Sequence, residues 1–240
     1  MTHLRYEILR TLRNPAFAGI VLALPLVLFY AIASAERHKT FDGTSFPLYF
    51  MTAMAAYGAM YAAMAPGARF ARDRATGWLR QMRITPLRTR TEFTATVAGA
   101  YLLALPALVL LFLAGASLGV RLGATQWLEM AGLLLVGLAP LVVIGFVLGY
   151  LLSSDAVAPA FAGVVVLLAL LGGAFGFQLA TSGPVFDVMK GLPSHWLVQA
   201  GKTALGGGGW PAEAWIVVAV WTVVLIPVAA LAYRRSAIRA

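Results

Sequence analysis

Six long apolar runs, at 16–34, 47–68, 94–118, 128–152, 158–179 and 212–233, take up most of the chain. A bilayer core about 30 Å thick needs roughly twenty helical residues to cross it, and each run is about that long. The runs are continuously apolar and lack the alternation in blocks of about ten that a membrane barrel requires. The fold class expected is therefore all-α integral membrane, with six transmembrane helices in a single domain spanning residues 1–240. Composition agrees: 61% of residues are hydrophobic and 11% charged, with a mean hydropathy of +0.84. Globular chains are nearer half apolar and a quarter charged. Six such runs in 240 residues, charged only at their edges, also leave no room for a soluble fold with ordinary buried helices.

Charge sets the orientation. The formal net charge is +9, and in a soluble chain that would suggest nucleic acid as a partner. Here the basic residues sit in the gaps between apolar runs, so no nucleic-acid role is expected. One side carries Arg5, Arg10, Arg13, Arg69, Arg72, Arg74, Arg80, Arg83, Arg88, Arg90, Arg234, Arg235 and Arg239; the other carries Arg37, Lys39, Arg121, Lys190 and Lys202. The excess of Lys and Arg marks the cytoplasmic side. Both termini are expected there, in a multi-pass protein of the bacterial plasma membrane. The first run is too long for the apolar core of a cleavable signal and is expected to stay. With no cysteine in the chain, disulfide, thiolate and cysteine-ligated metal chemistry are excluded. No metal or cofactor is expected in this chain. Glu92, Glu129, Asp155 and Glu213 all lie at run edges, so an ion-gradient-driven secondary transporter, the alternative class, lacks its usual intramembrane acids. Pro25, Pro106, Pro140 and Pro227 fall inside runs and predict kinks.

Three segments outside the runs carry pattern. Residues 2–13 place Leu4, Ile8 and Leu12 on one helical face and Arg5, Arg10 and Arg13 beside the other. This reads either as an amphipathic interfacial helix or as a charged start that enforces topology. The gap at 69–92 is longer than joining adjacent helices demands. Within it, Trp78, Leu79, Met82 and Ile84 form an apolar side among arginines. A short helix over 73–83, ended by Thr85 and Pro86, is predicted. It would suit docking onto a soluble partner. The segment 180–211 mixes Pro184, Pro193, Pro211 and the glycines 206–209 with Phe186, Val188, Met189, Leu192, Trp196, Leu197 and Val198. That is too apolar for a solvated loop. Short helices tucked into the bundle would cap an exit path; interfacial helices, with Trp196 in an aromatic belt, are the other reading.

The run Arg72-Asp73-Arg74-Ala75-Thr76-Gly77-Trp78-Leu79-Arg80, closing on Thr85-Pro86-Leu87, resembles the cytoplasmic loop of the type-2 ATP-binding-cassette (ABC) permeases. These are membrane subunits of bacterial drug, antibiotic, lipid and polysaccharide exporters. The resemblance covers essentially the whole chain. It implies an N-terminal interfacial helix, a coupling helix between spans two and three, and a partly re-entrant segment between spans five and six. Gly172, Gly173, Pro184, Leu192, Pro193 and Trp196 stand where that last segment would be. It also implies two copies of a cytoplasmic ATPase, which bind ATP and Mg, and a second permease copy, the same or related. The chain itself would then be no enzyme. Asp73, Arg74, Gly77, Trp78, Leu79, Arg80, Met82, Thr85 and Pro86 would form the docking site. The glutamates usual around the loop's glycine are replaced here, leaving Asp73 as the acid. An ATP-driven exporter of a lipophilic or amphipathic substrate is the function implied.

Span two shows Phe50, Met54, Tyr57, Tyr61 and Met64 at spacings of four, three, four and three. This stripe reads as a substrate pathway or dimer seam, adaptable because methionine is soft, or as plain helix packing. Spans two and five would meet at the seam by the same resemblance. Two motifs mislead. Gly201-Lys202-Thr203 has Trp196 where a phosphate-binding loop needs its first glycine. Gly115-x-Ser117-x-Gly119 matches a serine-hydrolase elbow, with His195 on the same expected side, which makes a membrane serine hydrolase a remote second alternative; Ser117 ends an apolar run and lacks the strand–turn–helix setting.

Overall fold

The computed structural model describes residues 15–41, 43–75, 89–175, 182–206 and 209–238. In chain order the elements are α1 (Pro15–Ala35), β1 (Thr40–Phe41), β2 (Thr44–Ser45), α2 (Phe46–Ala75), α3 (Thr89–Ser117), α4 (Ala124–Gly137), α5 (Ala139–Leu151), α6 (Ser154–Gly172), α7 (Pro184–Lys190), α8 (Pro193–Gly206) and α9 (Ala212–Ile238). Among the described residues, five helical stretches are long and apolar enough to cross a membrane: Phe46–Ala71, Val97–Ser117, Ala124–Leu151, Ser154–Gly172 and Ala212–Ala232. In α1 the stretch so identified is the shorter Leu22–Ala35. The expected interfacial helix at 2–13 lies outside the described residues.

Local chemistry moves several ends from where hydropathy alone put them. The fifth run was expected over 158–179, but α6 starts at Ser154 and stops at Gly172. Ser153 caps the start, its hydroxyl accepting from the Ala156 amide. Gly173, at φ 81°, turns the chain left-handed. The amides of Gly173 and Ala174 then close onto the carbonyls of Leu170 and Ala169, a helix stop that favours glycine. The fourth run is divided at Leu138 into α4 and α5. Pro140 has no amide to give, so the ladder breaks one turn below it. The chain is also not purely helical: β1 and β2 pair antiparallel, Thr40 opposite Ser45 and Phe41 opposite Thr44, around Gly43 at φ 73°.

Helix α2 is the axis of the bundle, packing against α1, α3, α5, α6 and α8. Its inner residues explain why it can be central. Ala53, Ala55, Ala56, Ala59 and Ala62 are fully buried, and side chains this small let five neighbours come close. Nearly all of its apolar stretch is enclosed, against less than a fifth for α9. Helix α9 sits at the margin against α5, exposing Ile216, Val220, Val223, Val224 and Leu231. In water that face would be an aggregation-prone patch; against lipid it is an ordinary outer surface.

The bundle has two distinguishable ends. At the upper end are the β1–β2 turn and the α3–α4 connection, and there the hydroxyls of Tyr30 in α1 and Ser117 at the end of α3 meet at 2.8 Å. At the lower end α2 runs past its apolar stretch to Ala75, beside the α5–α6 connection.

Candidate functional site

The lower end is built on backbone contact. A Cβ on Gly145 of α5 would lie 2.8 Å from the Met64 Cα of α2, and one on Gly67 or Gly149 would overlap the facing carbonyl of Gly145 or Gly67. The two helices touch with no side chain between them. One turn further down, the rings of Phe70 and Tyr150 close the contact edge-to-face at 4.2 Å. Gly145 and Gly149 are four apart, the small-xxx-small pattern that lets membrane helices meet. The motif reading above passed over them, although the spacing is visible in the sequence.

From this crossing α2 continues toward the arginine-rich segment. Asp73 and Arg74 belong to its final turns, where a separate helix over 73–83 was expected to open. Gly77, Trp78, Leu79, Arg80, Met82, Thr85 and Pro86 lie outside the described residues. Helix α2, on which most of the bundle packs, runs without a break to Ala75, the residue before that segment.

The span-two stripe falls inside the subunit. Phe50, Met54, Tyr57 and Met64 are buried and Tyr61 partly so. Phe50 stacks between Phe46 and Phe29, with centroids 5.6 and 6.5 Å away, and Tyr57 leans on Phe175 at 5.6 Å. These contacts are helix packing within one chain. Spans two and five meet as α2 and α6 of the same chain, so that meeting does not itself require a second copy.

At the upper end, α8 is seated between α2, α4 and α6, each side closed by a glycine. Gly201 of α8 lies on Thr52 of α2. Gly172 of α6 lies under the Ser194 carbonyl, where a Cβ would come within 2.8 Å. Gly137 of α4 faces Leu197 and Trp210, at 2.7 and 2.9 Å from such a Cβ. Ser194, His195, Trp196 and Leu197 are all buried. That settles the reading of this segment for α8: it is a tucked helix, and Trp196 is an inward residue, not part of an aromatic belt.

Two indole donors fix the turn between α7 and α8. Trp196 Nε1 donates to the Lys190 carbonyl at 2.7 Å, and Trp221 Nε1 of α9 donates to the Gly191 carbonyl at 2.7 Å. Lys190 Nζ lies 4.8 Å from the centroid of Phe186, whose ring meets His195 edge-on at 5.9 Å. The far end of α8 is held by the Glu129 carboxylate, which accepts from the Gly209 amide at 3.1 Å. Nothing in the local sequence singled out Trp221 or Glu129, because their partners are 30 and 80 residues away.

The two misleading motifs resolve structurally. Ser117 ends α3, and its hydroxyl donates to the Ala114 carbonyl at 2.7 Å while meeting Tyr30. It sits on a helix end, not a strand–turn–helix elbow. Gly201 is a packing position inside α8, not part of a loop around a phosphate. No cluster of three metal-ligating side chains occurs among the described residues.

Over 207 residues, 85% of the chain, the sequence is 25% identical to a protein of Bacillus subtilis (strain 168) named "Putative transport permease YvfS", covering 81% of that protein. No family model matches the chain, and no solved structure matches it. The apolar helices and this similarity support a multi-pass membrane transport permease.

Proposed function

We propose that the chain is the membrane subunit of an ATP-driven exporter of the type-2 ABC class. It moves a lipophilic or amphipathic substrate (drug, antibiotic or lipid) across the bacterial plasma membrane. It works as a pair of permeases bound to two copies of a cytoplasmic ATPase, and ATP and Mg are held by that partner. It crosses the membrane six times, with both termini in the cytoplasm and α1 as the first span.

One observation carries this reading. The helix with the most neighbours, α2, extends unbroken from the bundle core to Ala75, where the arginine-rich segment at 76–88 begins. A helix transmits axial displacement as a rigid rod, and packed interfaces respond by switching between discrete arrangements. A pull on that segment would thus reach α1, α3, α5, α6 and α8 together. The glycine crossing of Gly67 with Gly145 and Gly149 couples α2 to α5 most directly, backbone to backbone. Trp78, Leu79 and Met82 are the apolar docking contacts, with Asp73, Arg74 and Arg80 as their polar rim and Gly77, Thr85 and Pro86 shaping the segment.

The test is a double substitution, Trp78→Asp with Leu79→Asp, in the chain co-expressed with the ATPase encoded beside it. Membrane insertion should be unchanged, and co-purification of the ATPase should fall to background. Recovery of the complex at wild-type yield would remove the docking assignment and the exporter reading with it.

A further inference from the structure

Lys190 and Asp187 occupy a connecting segment, where sequence analysis placed Lys190 among the outer loop charges. The turn that carries Lys190 is not at the bundle's upper edge. Its Gly191 carbonyl is bonded to Trp221, nine residues below the start of the apolar stretch Ala212–Ala232. At about 1.5 Å per residue, and allowing for an indole leaning back by about one turn, that is roughly 8–14 Å down. Helix α7 thus descends into the bilayer's depth, and α8 climbs out again.

Two opposite charges ride on α7 above this turn, Lys190 at its last residue and Asp187 about one helical turn higher. Asp187 is exposed and Lys190 partly so, one helical turn apart. Neither enters an ion pair, the pair formed among the described residues being Glu36–Lys39. The Lys190 ammonium is held over the Phe186 ring by cation–π attraction. Around them Val185 and Val188 are exposed, and α9 bears no charged residue between Ala214 and Ala232. Ionisable groups within a membrane face a water-filled cavity or a partner and mark binding or transport paths. A lysine placed only to snorkel would need no unpaired acid beside it.

We infer that the Phe186–Asp187–Lys190 face of α7 binds the headgroup of a zwitterionic amphiphile whose cationic end is a primary ammonium, able to donate hydrogen bonds to Asp187 as a quaternary one cannot. Lys190 takes its phosphate or carboxylate, Asp187 its ammonium, and Val185 and Val188 touch its acyl part. This rests on the exporter reading for its purpose but not for its geometry, which requires only that α9 span the membrane.

The test uses the purified full chain in detergent micelles, offered an equimolar mixture of phosphatidylethanolamine, phosphatidylglycerol and phosphatidylcholine with identical acyl chains. Retained lipid is counted by native mass spectrometry, with no ATP or ATPase present, so the result stands apart from the transport assay. Phosphatidylethanolamine should be retained about five-fold over the other two, the scale of one partly exposed charge pair. Asp187→Asn should bring it down to the phosphatidylglycerol level, and Lys190→Gln should lower both. Lys190→Arg should restore the preference, which a merely unfolded Lys190→Gln would not explain. Free phosphoethanolamine should displace the lipid; failure to do so assigns retention to the acyl chains and overturns the site. Equal retention of all three lipids by the wild type overturns it too. Depth is checked separately with Lys190→Cys, the only thiol in a chain with no cysteine of its own. A fluorophore there should be quenched by nitroxides within the acyl chains, and quenching by aqueous iodide alone would overturn the placement.

Discussion

Glycine does two kinds of work in this protein, and the contacts tell them apart. Gly145 has the Met64 backbone 2.8 Å from where its Cβ would be, whereas a Cβ on Gly132 or Gly163 would meet nothing within 4 Å. Backbone cannot swing aside as a side-chain end can. Gly145→Ala should therefore force α2 and α5 apart, destabilising by about 1–3 kcal/mol. Gly132→Ala should be neutral or stabilising by up to about 1 kcal/mol, through helix propensity. Thermal unfolding of both variants in the same detergent checks this, and equal midpoints would show that close approach is not what Gly145 serves. The spacing of Gly145 and Gly149 was readable beforehand. The partner, Gly67, was not, because nothing local says which helix a small-residue face will meet. Trp196 shows the same limit. Its composition suits an interface, but its burial was decided by the Lys190 carbonyl and by the glycine-lined seat of α8.

At the level of elements, hydropathy located the helices but not their ends. Capping chemistry set those: Ser153 before α6 and Gly173 after it, and Pro140 breaking the fourth run. Short helices depend on what holds them, and α7, at seven residues, is far below the length at which an isolated helix persists. The turn below it is held by the indoles of Trp196 and Trp221. Trp221→Phe keeps the ring and removes the donor, leaving the Gly191 carbonyl short of a partner, at about 0.5–1.5 kcal/mol. Hydrogen exchange across 184–193 should accelerate several-fold in that variant, with α2 unchanged. Uniform acceleration along the whole chain would mean that Trp221 supports the bundle and not the turn. The pairing of apolar and breaker residues in 180–211 did point to short helices, of which α8 starts buried in the bundle while α7 is largely exposed. The arginine-rich element at 76–88 was identified from sequence alone.

For the molecule as a whole, the arrangement of charge predicts a single orientation. The β1–β2 turn should face outward, and the end of α9 should face the cytoplasm. Single cysteines at Thr44 and Arg235 test this cleanly, since no native thiol competes. A membrane-impermeant maleimide should label Thr44→Cys in intact cells and Arg235→Cys only after permeabilisation; the reverse pattern would invert the topology and place 76–88 outside, where no ATPase could reach it. Everything periodic and compositional was readable in the sequence itself: a helical membrane protein, the rough position of its apolar runs, and which gaps are rich in arginine. These follow from one-dimensional quantities, the thickness of a bilayer and the cost of charge within it. Only the tertiary structure decided that span two is the enclosed axis, that its aromatic and methionine stripe is buried within the chain, and that the turn bearing Lys190 is bonded to Trp221 inside the apolar stretch of α9. Each depends on contacts between residues far apart in the chain, and a lipid solvent gives all apolar faces the same affinity. Shape, set here by glycines and alanines, then chooses which faces meet.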